Sequence, residues 1–246
     1  LGDARTSLEF LLEKNAAKAE TKAAELIQIN NDRKSMTENG VKLITKMLED
    51  ATIAGKIGDT ATLADRVIVA YIPDVHESVV GIIASKLKEA YSRPVMIFTD
   101  SEHAGILKGS GRSIESYNMY EHLSRVKSYF REFGGHAMAA GFSIESSRLG
   151  ELRRVLNEQC ELTDEDITQK VRIDVGMPLQ YLARQSMRIT EQIYLLEPYG
   201  KGNRKALFGQ ANVPVRKASI LGKNRNLLKL VLDIGENQYM EAIYFD

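Results

Sequence analysis

Two short stretches of the sequence combine glycine and other small residues with polar side chains of the kind that bind anions. They are Lys108-Gly109-Ser110-Gly111-Arg112-Ser113 and Phe133-Gly134-Gly135-His136-Ala137-Met138-Ala139-Ala140-Gly141. Glycine lets a backbone come close to a ligand, and a helix that begins at a turn presents its positive end to an anion. The two stretches therefore predict glycine-rich turns that could hold a phosphate group.

The polar side chains in these stretches suit the same chemistry. Arg112 can donate two parallel hydrogen bonds to a phosphate, and Lys108 adds a second positive charge. His136, which we expect where a helix begins, can donate to a phosphate oxygen. On spacing alone another interpretation stays open, in which a tight turn is followed by a helix that needs Gly and Ala to pack closely on a sheet.

The elements around the two stretches predict an α/β fold. An apolar run at 66–72 ends at Pro73, and an amphipathic helix at 78–90 leads into a second apolar run at 95–98. A strand followed by a helix and another strand is typical of a βαβ unit. The later predictions are a strand at 104–107 that delivers the first stretch, a helix at 119–129, a strand at 142–144 and a helix at 147–159.

The first 50 residues have a helical pattern. Thr6 and Glu9 form a candidate capping box for a short helix, and a second helix is predicted from about residue 16 to 50. The middle of that helix, residues 30–34, is polar on every side, which is typical of a helix that bridges domains. Glycine and charged residues at 55–59 break the pattern.

A mainly β region is predicted after an acidic stretch at 161–166. Strands are expected at 171–175, 207–221, 227–233 and 239–245, and a helix is expected to end before Pro198. Short antiparallel strands in this order resemble an OB-type barrel, whose last strands we expect to be missing from this chain. The predicted domains are connecting helices at 1–55, an α/β domain at 56–160 and an OB-like domain at 161–246.

Charge is segregated within a chain that is neutral as a whole. Lys and Arg together number 33, as do Asp and Glu, but the segment 198–231 has eight basic residues and no acidic one. Such a segment is typical of a track for a polyanion, although a solvated basic face is the alternative. The candidate contacts are Lys201, Arg204, Lys205, Lys223 and Arg225.

Other classes of site find little support in the composition. The single Cys160 excludes a disulfide framework and a multi-cysteine zinc site, and it suits a reducing cytoplasm. No apolar run reaches the roughly 18 residues that span a bilayer, so we expect no membrane association. The four histidines are scattered, and Asp100, Glu102 and His103 are expected to form a polar turn. No metal site is therefore expected in this chain.

The two glycine-rich stretches, read as GSGRS and FGGHAMAAG, resemble the DHH-associated domain of the DHH phosphoesterase superfamily. VHESVVGIIASKL at 75–87, YSRPVMIFT at 91–99, and LEPYGKGN with LFGQANV further on extend the resemblance to the RecJ family of single-strand-specific exonucleases. It covers nearly the whole chain. The chain departs from the family pattern at Arg204, where a proline usually follows Gly-Asn.

The resemblance implies a 5′→3′ single-stranded-DNA exonuclease of DNA repair and recombination. Mg or Mn would be held by an N-terminal DHH domain, which is expected to be missing because the chain begins at Leu1 inside a continuing pattern. This chain would then be the substrate-binding portion, inactive alone, with that domain and single-stranded DNA as its partners.

The resemblance also assigns roles to individual residues. Gly134, Gly135 and His136 would face the metal centre, with His136 as the catalytic residue of this chain, while Ser110 and Arg112 would hold a 5′-terminal phosphate. His76 matches a family position and is expected to cap or orient the turn before the helix at 78–90. Two alternatives remain open: part of a cyclic-dinucleotide or short-oligonucleotide phosphodiesterase, and a non-catalytic nucleic-acid module.

Overall fold

The structure, a computed structural model, describes residues 2–53, 61–200, 202–222 and 225–245. The predicted break at 55–59 lies outside these residues. The chain forms two compact units, Leu1–Gln169 and Lys170–Asp246. None of the helices in the described ranges is long and apolar enough to cross a membrane.

The first unit begins with helices α1 (Ala4–Leu12) and α2 (Ala16–Ile53). The predicted capping box is wrong, because α1 begins before Thr6 and the side chain of Asp3 caps it by accepting from the Arg5 N–H at 2.9 Å. The long second helix is confirmed. Its residues 16–36 include no buried side chain, whereas Thr37, Ile44 and Leu48 in its last part are buried.

A five-stranded sheet forms the centre of the first unit. Its strands, in chain order, are β1 (Ile68–Tyr71), β2 (Val95–Asp100), β3 (Ile106–Arg112), β4 (Phe130–His136) and β5 (Ala139–Glu145). Their order in the sheet is β1-β2-β3-β5-β4. The pair β1–β2 is parallel and is connected by α3 (Glu77–Tyr91), which confirms the βαβ unit, while the other pairs are antiparallel.

The sheet separates two apolar layers. On one face, β1 and β2 pack with α3 and the end of α2, through residues that include Ile68, Val95, Ile97, Ile83, Leu87 and Ile44. On the other face, the sheet packs with α4 (Met119–Arg125) and α5 (Leu149–Glu158), through residues that include Met96, Phe98, Phe142, Met119, Leu123 and Leu152. Alternate residues of one strand point to opposite faces, so β2 contributes to both layers.

The second unit is mainly β, as predicted, but the first strands of this unit are shorter than the predicted ones. Helix α6 (Leu179–Tyr194) lies between two-residue strands β6 (Val175–Gly176) and β7 (Phe208–Gly209), so the longer strands predicted at 171–175 and from 207 are wrong. Strands β8 (Val215–Leu221), β9 (Leu227–Gly235) and β10 (Gln238–Phe245) then form an antiparallel sheet in the order β10-β9-β8.

Candidate nucleic-acid interface

The two glycine-rich stretches are strands rather than turns that lead into helices. Residues 108–112 are the end of β3 and hydrogen-bond with β2 on one side and β5 on the other. His136 is the last residue of β4, and the chain turns at 137–138 to enter β5. The predicted helix start at His136 is therefore wrong, and no helix terminus is available there to bind an anion. In residues 108–112 polar residues alternate with glycine, which is a strand pattern, although glycine also suggested a turn.

The strand register places the polar residues of both stretches on one face of the sheet. Directly paired residues of antiparallel strands point to the same face, and every second residue along a strand does so too. The pairing gives three parallel rows, which together we call the polar face: Arg112, Ala139 and His136; Ser110, Gly141 and Gly134; Lys108, Ser143 and Glu132. Rows lie about 7 Å apart, and the outer two strands lie about 10 Å apart.

The middle row forms an open floor. A Cβ atom added at Gly134 would meet no atom within 4 Å, and one added at Gly141 would meet only Gly109 O, at 4.0 Å. Since these positions carry no side chain and both glycines are exposed, a ligand can lie directly on the backbone between the flanking polar groups. Gly134, which the sequence predicts to contact the ligand, thus has open space where a side chain would lie.

Arg112 and Ser110 act as one group on β3. Arg112 Nη1 donates to Ser110 Oγ at 2.8 Å and to Gly111 O at 2.8 Å. A Cβ at Gly81 of α3 would lie 2.7 Å from Arg112 Nη2 and 3.1 Å from Ser110 Oγ, so a glycine in the helix makes room for the guanidinium. Sequence analysis missed Gly81, although a glycine inside an otherwise apolar helical pattern is a signal of close approach.

His136 is exposed at the opposite side of the first row. The Met138 N–H donates to His136 Nδ1 at 3.3 Å, which assigns the proton of the neutral ring to Nε2. The Nε2–H is then a donor at the edge of the polar face. This arrangement suits an oxyanion that lies over β5.

The third row holds one basic and one acidic residue, and a second carboxylate, from α3, lies beside it. Lys108 Nζ donates to Glu77 Oε2 at 2.8 Å, and Glu132 lies across β5 from the lysine. The hydrogen bond from Lys108 lowers the pKa of Glu77, and the hydrogen bond to Glu77 raises the pKa of Lys108. A cavity of about 610 Å³ opens here, with Lys108, Glu77, Glu132, Gly134 and Ser143 in its lining. Neither glutamate was identified from the sequence.

The remaining glycines of the two stretches serve packing. A Cβ at Gly109 would clash with the Phe142 ring and lie 2.7 Å from Ile97 O. At Gly135 a Cβ would lie 2.6 Å from the Cα of Ala140. A side chain at Gly135, which was a predicted contact, would therefore point to the face of the sheet opposite the polar face.

His76 has the structural role that was expected of it. It caps α3, because its Nδ1 accepts from the Ser78 N–H at 3.2 Å. Asp100, which was expected in a polar turn, is the last residue of β2, and its carboxylate accepts a hydrogen bond from Tyr71 Oη at 2.8 Å.

The basic segment of the second unit is not free of acids in space. Arg216 pairs with Asp233 and Lys229 with Glu241, each at 2.7 Å, because the neighbouring strands bring acidic residues beside them. Arg204, Lys205 and Arg225 are exposed and form no ion pair among the described residues, although Lys205 Nζ lies 5.7 Å from the centre of the Tyr199 ring. Lys201 and Lys223 lie outside the described residues.

Comparison with protein families assigns both units. Residues 64–162 match the DHHA1 domain, and residues 173–246 match the RecJ OB domain. The chain is 34% identical over 92% of its length to the single-stranded-DNA-specific exonuclease RecJ of Haemophilus influenzae, and 29% identical over 98% to that of Bacillus subtilis. It spans 38% and 29% of these two relatives.

Solved structures give the same relationship. The crystal structure of RecJ from Thermus thermophilus in complex with Mn²⁺ matches with a TM-score of 0.71 and 28% identity, over 97% of this chain and 33% of the other. A complex of the same protein with Mg²⁺ matches with a TM-score of 0.68.

The described residues do not fit a metal of their own. No group of three or more His, Cys, Asp or Glu among them could hold a metal ion. On the polar face Gly134 lies between His136 and Glu132, so these two side chains are not neighbours along β4. The chain has a DHHA1 domain and a RecJ OB domain, and it is similar to RecJ proteins over more than 90% of its own length. It therefore belongs to the RecJ family.

Proposed function

We propose that this chain is the substrate-binding portion of a 5′→3′ single-stranded-DNA exonuclease, and that the polar face receives the 5′ end of the strand. The observation that carries the proposal is the register that brings Arg112, Ser110 and His136 to one face around the bare floor at Gly134 and Gly141. These groups come from two separate stretches of sequence, and all of them can bind a phosphate.

Arg112 and Ser110 are proposed to hold the terminal phosphate. A phosphate monoester carries between one and two negative charges at pH 7 and has three free oxygens. The guanidinium can donate to two of them in parallel, and the hydroxyl of Ser110, 2.8 Å from Arg112 Nη1, lies close enough to donate to the third. Both side chains are half-buried, so their positions are held before a ligand arrives.

His136 is proposed to be the catalytic residue of this chain. About 10 Å across β5 from Arg112, its Nε2–H can donate to a non-bridging oxygen of the phosphate that follows the terminal one. Such a donor stabilises the negative charge that develops on the phosphate during hydrolysis.

Metal ions such as those in the crystal structures of the Thermus thermophilus relative would supply an activated water in this proposal. They would be held by residues outside those described here, because the described residues contain no suitable group. Nothing in the polar face itself would activate water, and no step of hydrolysis is assigned to this chain alone.

The second unit is proposed to bind the strand beyond its end. Arg204, Lys205 and Arg225 are exposed cations without an acidic partner among the described residues, and an OB domain that follows single-stranded DNA uses such residues along its groove. A small cyclic-dinucleotide ligand would not need this second unit, so the phosphodiesterase alternative is disfavoured.

Binding and hydrolysis measured on the same preparation test the proposal. A 3′-labelled single strand should bind more tightly than the blunt duplex of the same sequence, and it should stay intact when Mn²⁺ is added to the chain. Equal affinity for the duplex would contradict the choice of substrate. Metal-dependent degradation by the chain would contradict the proposal that this portion binds the strand and does not hydrolyse it alone.

A further inference from the structure

The polar face has unlike charges at its two ends. The first row carries Arg112 and the donor His136, whereas the third row carries Glu132 together with the ion pair of Lys108 and Glu77. The carboxylates of Glu77, Glu102 and Glu132 all act electrostatically on Lys108. One lysine cannot compensate three carboxylates, so this end of the face is net negative.

Glu132 is the member of that group that lies on the polar face without a paired cation. Its side chain is exposed, and among the described residues no hydrogen bond or ion pair to it is found, whereas Glu77 is paired with Lys108 at 2.8 Å. It borders the cavity of about 610 Å³ that lies over the floor at Gly134 and Gly141. A cavity of this size accommodates a nucleoside, a group much larger than a phosphate.

We propose that Glu132 is a specificity-determining residue, which keeps backbone phosphates out of the third row and so seats a phosphorylated 5′ end beside Arg112. This inference rests on the proposed function. In DNA the phosphates are the only charged groups, and the sugar and base can occupy the cavity without repulsion. A phosphate near Glu132 would face a like charge across a few ångströms.

The position of Glu132 makes the repulsion selective for internal phosphates. The first and third rows are about 13 Å apart, and a bare floor lies between them. A terminal phosphate at Arg112 has a neighbouring phosphate on one side only, and the strand can leave the face on that side. An internal phosphate at Arg112 has neighbours on both sides, so one of them is directed towards Glu132.

The test compares two strands of one sequence, labelled at the 3′ end and ending in a 5′-phosphate or a 5′-hydroxyl. Glu132→Gln keeps the shape of the side chain and removes its charge. Glu20→Gln makes the same charge change at an exposed site on α2, more than about 20 Å along the helix from its first buried residue, Thr37. At 0.1 M salt the Debye length is about 10 Å, so the control charge is screened from the polar face.

In Glu132→Gln we expect the hydroxyl-ended strand to bind about twofold to fivefold more tightly, so that the preference for the phosphorylated end falls by that factor. In Glu20→Gln we expect the wild-type preference. Glu132→Thr, which also suits a strand, should reproduce the result if the Gln variant does not fold. A wild-type preference that both Glu132 variants retain would overturn the role of Glu132 and leave the proposed function standing, whereas no preference in the wild type would overturn both.

Discussion

Lys108 Nζ lies 2.8 Å from Glu77 Oε2 and joins the third row of the polar face to the first turn of α3. The lysine was expected to bind phosphate, but its charge is already compensated by this carboxylate. Both side chains remain about half exposed, at 47% and 56%, so the pair can open at little cost. In the wild-type chain Glu77 therefore keeps Lys108 from acting as a phosphate contact.

Removing the charge of Glu77 should release Lys108 to the strand. In Glu77→Gln we expect tighter binding of single-stranded DNA at low salt, and a log–log salt dependence that is steeper by about 0.7, the value for one added phosphate contact on a single strand. Glu9→Gln is the matched control, because it frees Lys22 of α2 from an ion pair of 2.7 Å with Glu9 of α1. An unchanged salt dependence in Glu77→Gln would show that Lys108 does not reach the DNA.

The glycines of the polar face should separate into two classes on substitution. Gly109→Ala should lower the stability of the chain by about 1–3 kcal/mol, because its Cβ would clash with the Phe142 ring in the core. Gly134→Ala should leave the melting temperature almost unchanged, since no atom lies within 4 Å of its Cβ, but should weaken binding by raising the floor. The reverse pattern would mean that the two faces of the sheet are assigned wrongly.

The glycine pair also shows what could be read from the sequence. The composition of the two stretches indicated phosphate chemistry, and apolar runs at 66–72 and 95–98 predicted the βαβ unit correctly. Whether a glycine faces the core or the ligand depends on the pairing of β3 with β5, which joins residues about 30 positions apart. No local pattern contains that register, so the sequence alone did not distinguish Gly109 from Gly134.

The acidic residues that lie beside the predicted basic contacts could not be identified from the sequence for the same reason. Glu77 and Glu132 lie far from residues 108–112 in the sequence and meet them only through α3 and β5. In the second unit, Asp233 and Glu241 lie just outside the acid-free segment and fold back onto Arg216 and Lys229. A segment without acids in sequence is therefore a weak predictor of a free basic surface.

The unpaired cations of the second unit should account for much of the salt dependence of binding. Reversing Arg204 and Lys205 to Glu should reduce the log–log slope by about 1.4, or about 0.7 for each lost contact. Lys229→Gln should change it little, because Glu241 lies 2.7 Å from that lysine. Equal effects from the two variants would indicate general electrostatics rather than contacts at residues 204 and 205.

His122 should make the stability of the first unit depend on pH. Its ring is stacked on Tyr117, with 3.9 Å between the ring centres, and burial, with a smaller contribution from Arg125, lowers the pKa of His122 below its usual 6.5. The unfolded chain then binds more protons than the folded one as the pH falls below about 6.5, so stability is lost in that range. In His122→Phe, which keeps the stacked ring, the melting temperature should fall less between pH 7.5 and 5.5 than in the wild type. An identical fall in both proteins would contradict this role.

The central claim is that Arg112, held by Ser110, recognises a terminal 5′-phosphate, and paired titrations with 5′-phosphate and 5′-hydroxyl strands test it most directly. A hydrogen bond to a charged group contributes roughly 1.5–3 kcal/mol, so Arg112→Ala should weaken binding of the phosphorylated strand about tenfold or more. Arg112→Lys should recover only part of the loss, because an ammonium cannot make two parallel hydrogen bonds. Binding of the hydroxyl-ended strand should change less than about twofold. If Arg112→Ala weakens both strands equally, Arg112 contacts the internal backbone and the claim is wrong.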